Sequence, residues 1–149
     1  MRTLAVDLGA RRVGLALSDE GGKFATPFGV LNVTSPQQAA DAVLEVVRKE
    51  GVRRLVVGLP LNMDGTLGSA AHHTALWASG VNERANLPLV FVDERLSSFD
   101  AEQRLIERKR GGEKITRARK KEMLDAVAAA GFLQEFLDGK LPMIEVAPE

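Results

Sequence analysis

The chain has 149 residues, enough for one domain around one core, and its 45% hydrophobic and 27% charged residues are an ordinary globular balance. It has no cysteine, which excludes a disulfide framework and any thiolate metal site and fits a reducing, cytoplasmic setting. The opening MRTLAVDLGA meets Asp7 too early to read as a signal peptide, no apolar stretch approaches the roughly 20 residues needed to cross a bilayer, and no membrane partner is expected.

In chain order, Thr3–Leu8 and Arg12–Ser18 are apolar runs separated by Gly9–Arg11, the pattern of a β-hairpin, and Ala25–Val33 supplies a third strand after the Gly21–Gly22 turn. Ser35 reads as an N-cap, with Pro36 at the first helical position and Gln38 completing a capping box. Ala39, Ala40, Val43, Leu44 and Val47 recur at helical spacing until Gly51 ends the helix. Arg54–Leu59 reads as a buried parallel strand. Pro60–Thr66 reads as a loop, with a cap at Thr66 for a helix from Leu67 to about Arg84. Leu89–Val92 is another buried strand. Ser97 then caps a third helix, which Gly111–Gly112 breaks, and a last helix runs from about Arg117 to Leu137 and stops near Gly139. A three-strand meander followed by α/β units predicts a mixed five-stranded sheet with helices on both faces. Residues 1–140 form the expected domain and 141–149 a tail.

The charge is zero overall, 20 basic against 20 acidic residues, but it is unevenly spread. Between Arg104 and Lys121 stand nine basic residues and two acids, so the remainder holds eleven bases and eighteen acids. A basic run on an acidic body is an anion-binding signal, although a solvated loop would look the same. Lys109, Arg110, Lys120 and Lys121 are its candidate phosphate contacts.

Three acids stand out. Asp7 ends an apolar strand, where a carboxylate is costly unless it is paired, hydrogen-bonded or bound to a metal; the competing reading is a turn cap before Gly9. Asp93 and Glu94 end the LVFV strand, at the strand edge where ligands bind in open α/β sheets. Neighbouring strand residues point to opposite faces, so only one of the two aims at a given site unless the chain turns. Asp125 heads a helical stripe with Ala129, Phe132 and Phe136, and the small Ala126, Ala128, Ala129 and Ala130 would let that helix press close to the sheet. Three separated acids without cysteine suggest an oxygen-ligand site for Mg2+ or Mn2+. His72 and His73 read as surface or packing residues. In the loop GLPLNMDGT, Asn62 could contact a sugar-phosphate backbone, and the free N–H groups of a helix opening at Ser97 could hold a phosphate.

Four stretches, AVDLGARRVGLALSD, VVGLPLNMDGT, VDERLSS and LDAVAAAGFLQEFL, together resemble the YqgF (RuvX) family, in its order and over nearly the whole chain. Members of that family are similar in fold to Holliday-junction resolvases and are described as nucleases that process the 5′ end of 16S ribosomal RNA precursors. The resemblance implies an α/β, ribonuclease H-like sheet: a three-strand antiparallel meander plus two parallel strands. It also implies a metal-binding acid cluster of Asp7, Glu94 (with Asp93 as the alternative) and Asp125; Arg95, next in the DER motif, is a candidate nucleic-acid contact. Ribonuclease H-like enzymes commonly put a second acid at the end of the fourth strand. Here that position falls in Gly58–Pro60, which has none, so the acid of the DER motif must substitute from the next strand. The residue one turn beyond Asp125 is Ala128, which favours one metal over two. The expected partner is structured RNA or branched DNA, bound by a monomer or a homodimer. Two other classes stay open: a nucleotide-binding protein, since the opening motif also resembles the phosphate loop of actin-like ATPases, and a non-catalytic RNA-binding module.

Overall fold

The computed structural model describes residues 1–94 and 117–146, apart from the side chains of residues 117–123. The elements are β1 (Thr3–Leu8), β2 (Arg12–Ser18), β3 (Ala25–Asn32), α1 (Pro36–Glu50), β4 (Arg54–Leu59), α2 (Ser69–Ala85), β5 (Leu89–Asp93) and α3 (Arg117–Leu137). The helix expected to open at Ser97, and the break at Gly111–Gly112, lie outside the described residues.

The strands form one sheet in the order β3-β2-β1-β4-β5. β1–β2 and β2–β3 are antiparallel, and β1–β4 and β4–β5 are parallel, which is the expected meander joined to two parallel strands. The hairpin closes on a tight turn, with Gly9 N–H donating to the Arg12 carbonyl at 2.8 Å. β3 stops one residue short of the expected end because Val33 N–H leaves the ladder and donates to the Arg11 carbonyl.

Strand alternation splits the core into two layers. Leu4, Val6, Val13, Leu15, Leu55 and Val57 face α1 and α2. Ala5, Ala16, Val56 and Val92 face α3, where they meet Ala129, Ala130, Phe132 and Leu133. The helices therefore cover both faces. α1 and α2 are tied by Trp77 Nε1, which donates to the Pro36 carbonyl at 2.8 Å, and by an Arg84–Asp41 ion pair at 2.9 Å. On the far face, Gln134 of α3 accepts from Ala25 N–H at 2.9 Å and donates to the Lys23 carbonyl at 2.9 Å. α3 is thereby held to the start of β3.

Two helix starts differ in detail from expectation. Ser35 caps α1 by accepting from Gln38 N–H at 3.1 Å, but the Gln38 side chain reaches back to Thr34 rather than to Ser35. α2 begins at Ser69 behind Gly68, with no side-chain cap. Thr66 does not cap it because its hydroxyl already donates to Asp64 Oδ1 at 2.6 Å and accepts from Asn62 Nδ2 at 3.0 Å. At the other end of the chain, Leu141 is buried against the α3 layer, and Ile144 N–H donates to the Phe91 carbonyl at 2.7 Å in an antiparallel bridge. Residues 141–146 thus line the outer side of β5.

Candidate active site

The parallel strands β1, β4 and β5 end at one edge of the sheet, and the face that α3 covers is set there by parity. On β1, Asp7 follows Ala5 onto the α3 face. On β5, Val90 and Val92 point toward α3 and Asp93 the other way, and Glu94, one residue past the strand, stands on the α3 side against Gly58 beside Phe132. Of the two acids, the side chain that meets Asp7 is that of Glu94, through a hydrogen bond between the two carboxyls. Asp93 is buried and acts on Glu94 as a nearby charge.

Two glycines make room for the other acids. Gly14 lies directly across β1–β2 from Asp7, and a Cβ built on it would land on the backbone carbonyl of Asp125. The absent side chain lets α3 lie against β2 and sets Asp125 beside Asp7. Gly58 is its counterpart on β4. A Cβ there would stand 2.9 Å from Glu94 Cβ, 3.1 Å from Glu94 Oε2 and 3.0 Å from the Phe132 ring. The carboxyl of Glu94 thus occupies the space in which a side chain from β4 would begin. Neither glycine reads in the sequence analysis as a point of close approach, although a glycine inside an apolar strand is a known mark of one.

The electrostatics follow from this crowding. Burial raises the Asp7 carboxyl above its ordinary value, and the Asp125 charge adds to the rise, while the hydrogen bond from Glu94 opposes it. Glu94 is pushed up to about 9, first by burial, then by the Asp7 charge and by donating its proton to Asp7. Two half-buried carboxyls joined by a hydrogen bond do not readily both ionise, so they share a proton, with Glu94 the donor and Asp7 the acceptor. Burial also raises Asp125, against the pull of Arg12, whose Nε stands 2.9 Å from Asp125 Oδ2. That contact is an ion pair without the alignment of a hydrogen bond, and Asp125 Oδ2 and Glu94 Oε2 are buried oxygens with no hydrogen-bond donor.

An open cleft of about 580 Å³ reaches this cluster and is lined by Asp7, Gly9, Ala10, Arg11, Arg12, Asn32 and Asp125. Arg12 and Asn32 face each other across β2–β3. Neither was expected from the sequence; the one available signal was the Arg11–Arg12 pair beside Asp7.

Among the described residues, no three His, Asp or Glu side chains are already arranged as a metal shell. The donor set nevertheless fits a hard divalent cation. All the acids are oxygen ligands, two buried oxygens lack a donor, and the shared proton occupies the place where positive charge is needed.

The expected nucleic-acid contacts divide. Asn62 is exposed, but it is engaged within its own loop by Thr66 and against the backbone of Gly68. Lys120 and Lys121 lie in the first turns of α3, and their side chains are outside the described residues, as are Arg95, Ser97, Lys109 and Arg110 altogether. His73 is exposed on α2, apart from the acid cluster.

Comparison with known proteins gives this geometry a context. A protein of Acidiphilium cryptum, provisionally named a pre-16S rRNA nuclease, is 40% identical over 137 residues, spanning 92% of this chain and 84% of its own length. A protein of an Anaeromyxobacter species (strain K) with the same provisional name is 44% identical over 144 residues, covering 95% of this chain and 100% of its own. Among solved structures, RuvC of Thermus thermophilus, a ribonuclease H-like fold, superposes with a TM-score of 0.55 at 20% identity, covering 97% of this chain and 100% of its own. The same protein in complex with a Holliday junction gives a TM-score of 0.56. Residues 1–139 match the family described as RuvX: Holliday junction resolvase, and the chain belongs to that family.

Proposed function

We propose that this chain is a metal-dependent nuclease that hydrolyses phosphodiester bonds, acting in the cytoplasm at the 5′ end of the 16S ribosomal RNA precursor. The observation that carries the reading is the proton-sharing Asp7–Glu94 pair, with Asp125 beside it, at the strand edge that the cleft reaches. Membership of the family and the provisional names of the relatives supply the substrate class.

Asp7, Glu94 and Asp125 would hold Mg2+ or Mn2+, which supplies a more acidic water and offsets negative charge at phosphorus. Glu94 must lose its proton to solvent for that, because Asp7 needs its own charge to hold the cation as well. Asp125 lies within α3 where the helix backbone is wedged over Gly14, and its carboxylate is paired with Arg12, so both its backbone and its side chain are positioned before any ligand arrives. The basic run around Lys109, Arg110, Lys120 and Lys121 would contact phosphates, without aromatic residues on which to stack bases.

The test is cleavage of a precursor RNA carrying the unprocessed 5′ end, with Mg2+ and Mn2+ varied and Asp7→Asn as control. Metal-dependent cleavage at the mature end, lost in Asp7→Asn, is the expected result. A second reading, resolution of a four-way DNA junction, is favoured by the family's description. A junction assayed in parallel separates the two, since symmetric resolution needs a homodimer and RNA trimming only a monomer. Binding of the RNA with no cleavage in any divalent metal would leave a non-catalytic RNA-binding module.

A further inference from the structure

Arg12 occupies a position that the acid cluster alone does not require. It opens β2 on the α3 face, opposite Asn32, and its place is fixed on two sides. Its carbonyl accepts from Gly9 N–H at 2.8 Å, and that of Arg11 accepts from Val33 N–H at 2.9 Å. Its Nε stands 2.9 Å from Asp125 Oδ2, with side-chain exposures of 37% for Arg12 and 29% for Asp125. Both residues line the 580 Å³ cleft together with Asp7.

A guanidinium keeps its charge at any working pH, and its planar fork of N–H donors suits a carboxylate or a phosphate equally well. The same group therefore fits two partners that are never needed at once. While Asp125 lacks any other cation, Arg12 neutralises it. When a divalent cation takes the Asp125 carboxylate, like charge repels the guanidinium, and the anion then available in the cleft is a backbone phosphate.

We propose that Arg12 is a positioning residue that changes partner: it holds Asp125 in the metal-free protein and holds a backbone phosphate of the nucleic acid in the loaded one. The proposal rests on the nuclease reading for its second half only; the competition between Arg12 and the cation for Asp125 concerns the protein alone.

Two measurements on the full chain test it, each on the wild type, Arg12→Gln, Arg12→Lys and the surface control Arg48→Gln. The first is Mn2+ binding without nucleic acid, followed by the paramagnetic resonance of free Mn2+. Removing a partly exposed competing ion pair should tighten Mn2+ binding in Arg12→Gln by about twofold to fivefold. A merely structural arginine would loosen it. The second is affinity for a structured RNA in Ca2+ as a function of salt. Arg12→Gln should bind more weakly, with the slope of log K against log salt smaller by about 0.7 to 0.9, the loss of one phosphate contact. Arg12→Lys keeps the charge and should keep the slope, and its thermal melt shows whether the position tolerates change. Unchanged or weaker Mn2+ binding in Arg12→Gln overturns the competition with Asp125, and an unchanged slope overturns the phosphate contact. Absence of cleavage by the wild type alongside tighter Mn2+ binding by Arg12→Gln would sink the nuclease reading and leave the competition standing.

Discussion

Glu94→Gln is the perturbation with the most specific expected outcome, because it should damage function and improve the metal-free fold together. Glu94 moves from an ordinary value of 4.5 to about 9 on folding, so the folded state binds its proton more tightly than the unfolded state does. A raised carboxyl pKa contributes stability that is complete below the unfolded value and declines as pH rises from there toward the folded value. Between pH 4.5 and pH 7.5 the decline is about 4 kcal/mol, from three pH units at about 1.4 kcal/mol each. That figure is a ceiling, because the proton is shared with Asp7. Glutamine does not titrate, and its Nε2–H can donate to Asp7 as the protonated glutamate does. In EDTA at pH 7.5, Glu94→Gln should therefore be more stable than wild type by about 1–3 kcal/mol, within that ceiling. Its stability should also vary less between pH 5 and 8.5. Urea unfolding at four pH values in EDTA reads both quantities. Added Mg2+ should stabilise the wild type more than the variant, since ligand binding to the folded state adds stability by mass action. A wild-type stability that is flat across this window, or a variant less stable than wild type at pH 7.5, would refute the buried proton and with it the assignment of the acid pair.

Asp7→Asn and Asp125→Asn should each abolish metal-dependent cleavage while leaving RNA affinity within about threefold, an effect below 1 kcal/mol, as gel-shift titration would show; retained cleavage removes that residue from the mechanism. Gly58→Ala should displace the Glu94 carboxyl and crowd Phe132, costing about 1–3 kcal/mol in urea unfolding and most of the cleavage rate; wild-type activity would mean that Glu94 can move freely. Replacing Lys109, Arg110, Lys120 and Lys121 together by Ala should weaken RNA binding most at low salt and flatten its salt dependence; unchanged affinity and slope would make the basic run a solvated surface.

How much of this was legible in the sequence depended on which interactions were local. The hairpin, β4 and α3 follow from periodicity and breakers, because each pattern is contained in its own segment. α2 starts later than its pattern suggests because the hydroxyl of Thr66, an apparent cap, is held by Asp64 and Asn62 within the preceding loop. The bridge from Ile144 to Phe91 is a contact across more than fifty residues and leaves no trace in the segment itself. Asp125 was legible because a carboxylate at the head of the Ala129, Phe132 and Phe136 stripe has no apolar reason to be there. Arg12 was not, since an arginine beside a turn is ordinary on any surface.

Gly14 and Gly58 explain why the acids meet where they do. A glycine weakens a strand, so two of them in otherwise apolar strands need a compensating contact, and each has one on the α3 face. Gly14 admits the backbone of Asp125, and Gly58 admits the side chain of Glu94. The second replacement also accounts for the missing acid at the end of β4. A carboxylate borne by β4 would fill the volume that Glu94 enters from β5, so the two arrangements exclude each other sterically. The carboxyl oxygen beside Asp7 comes instead from the end of the neighbouring parallel strand, and β4 is bare where it enters.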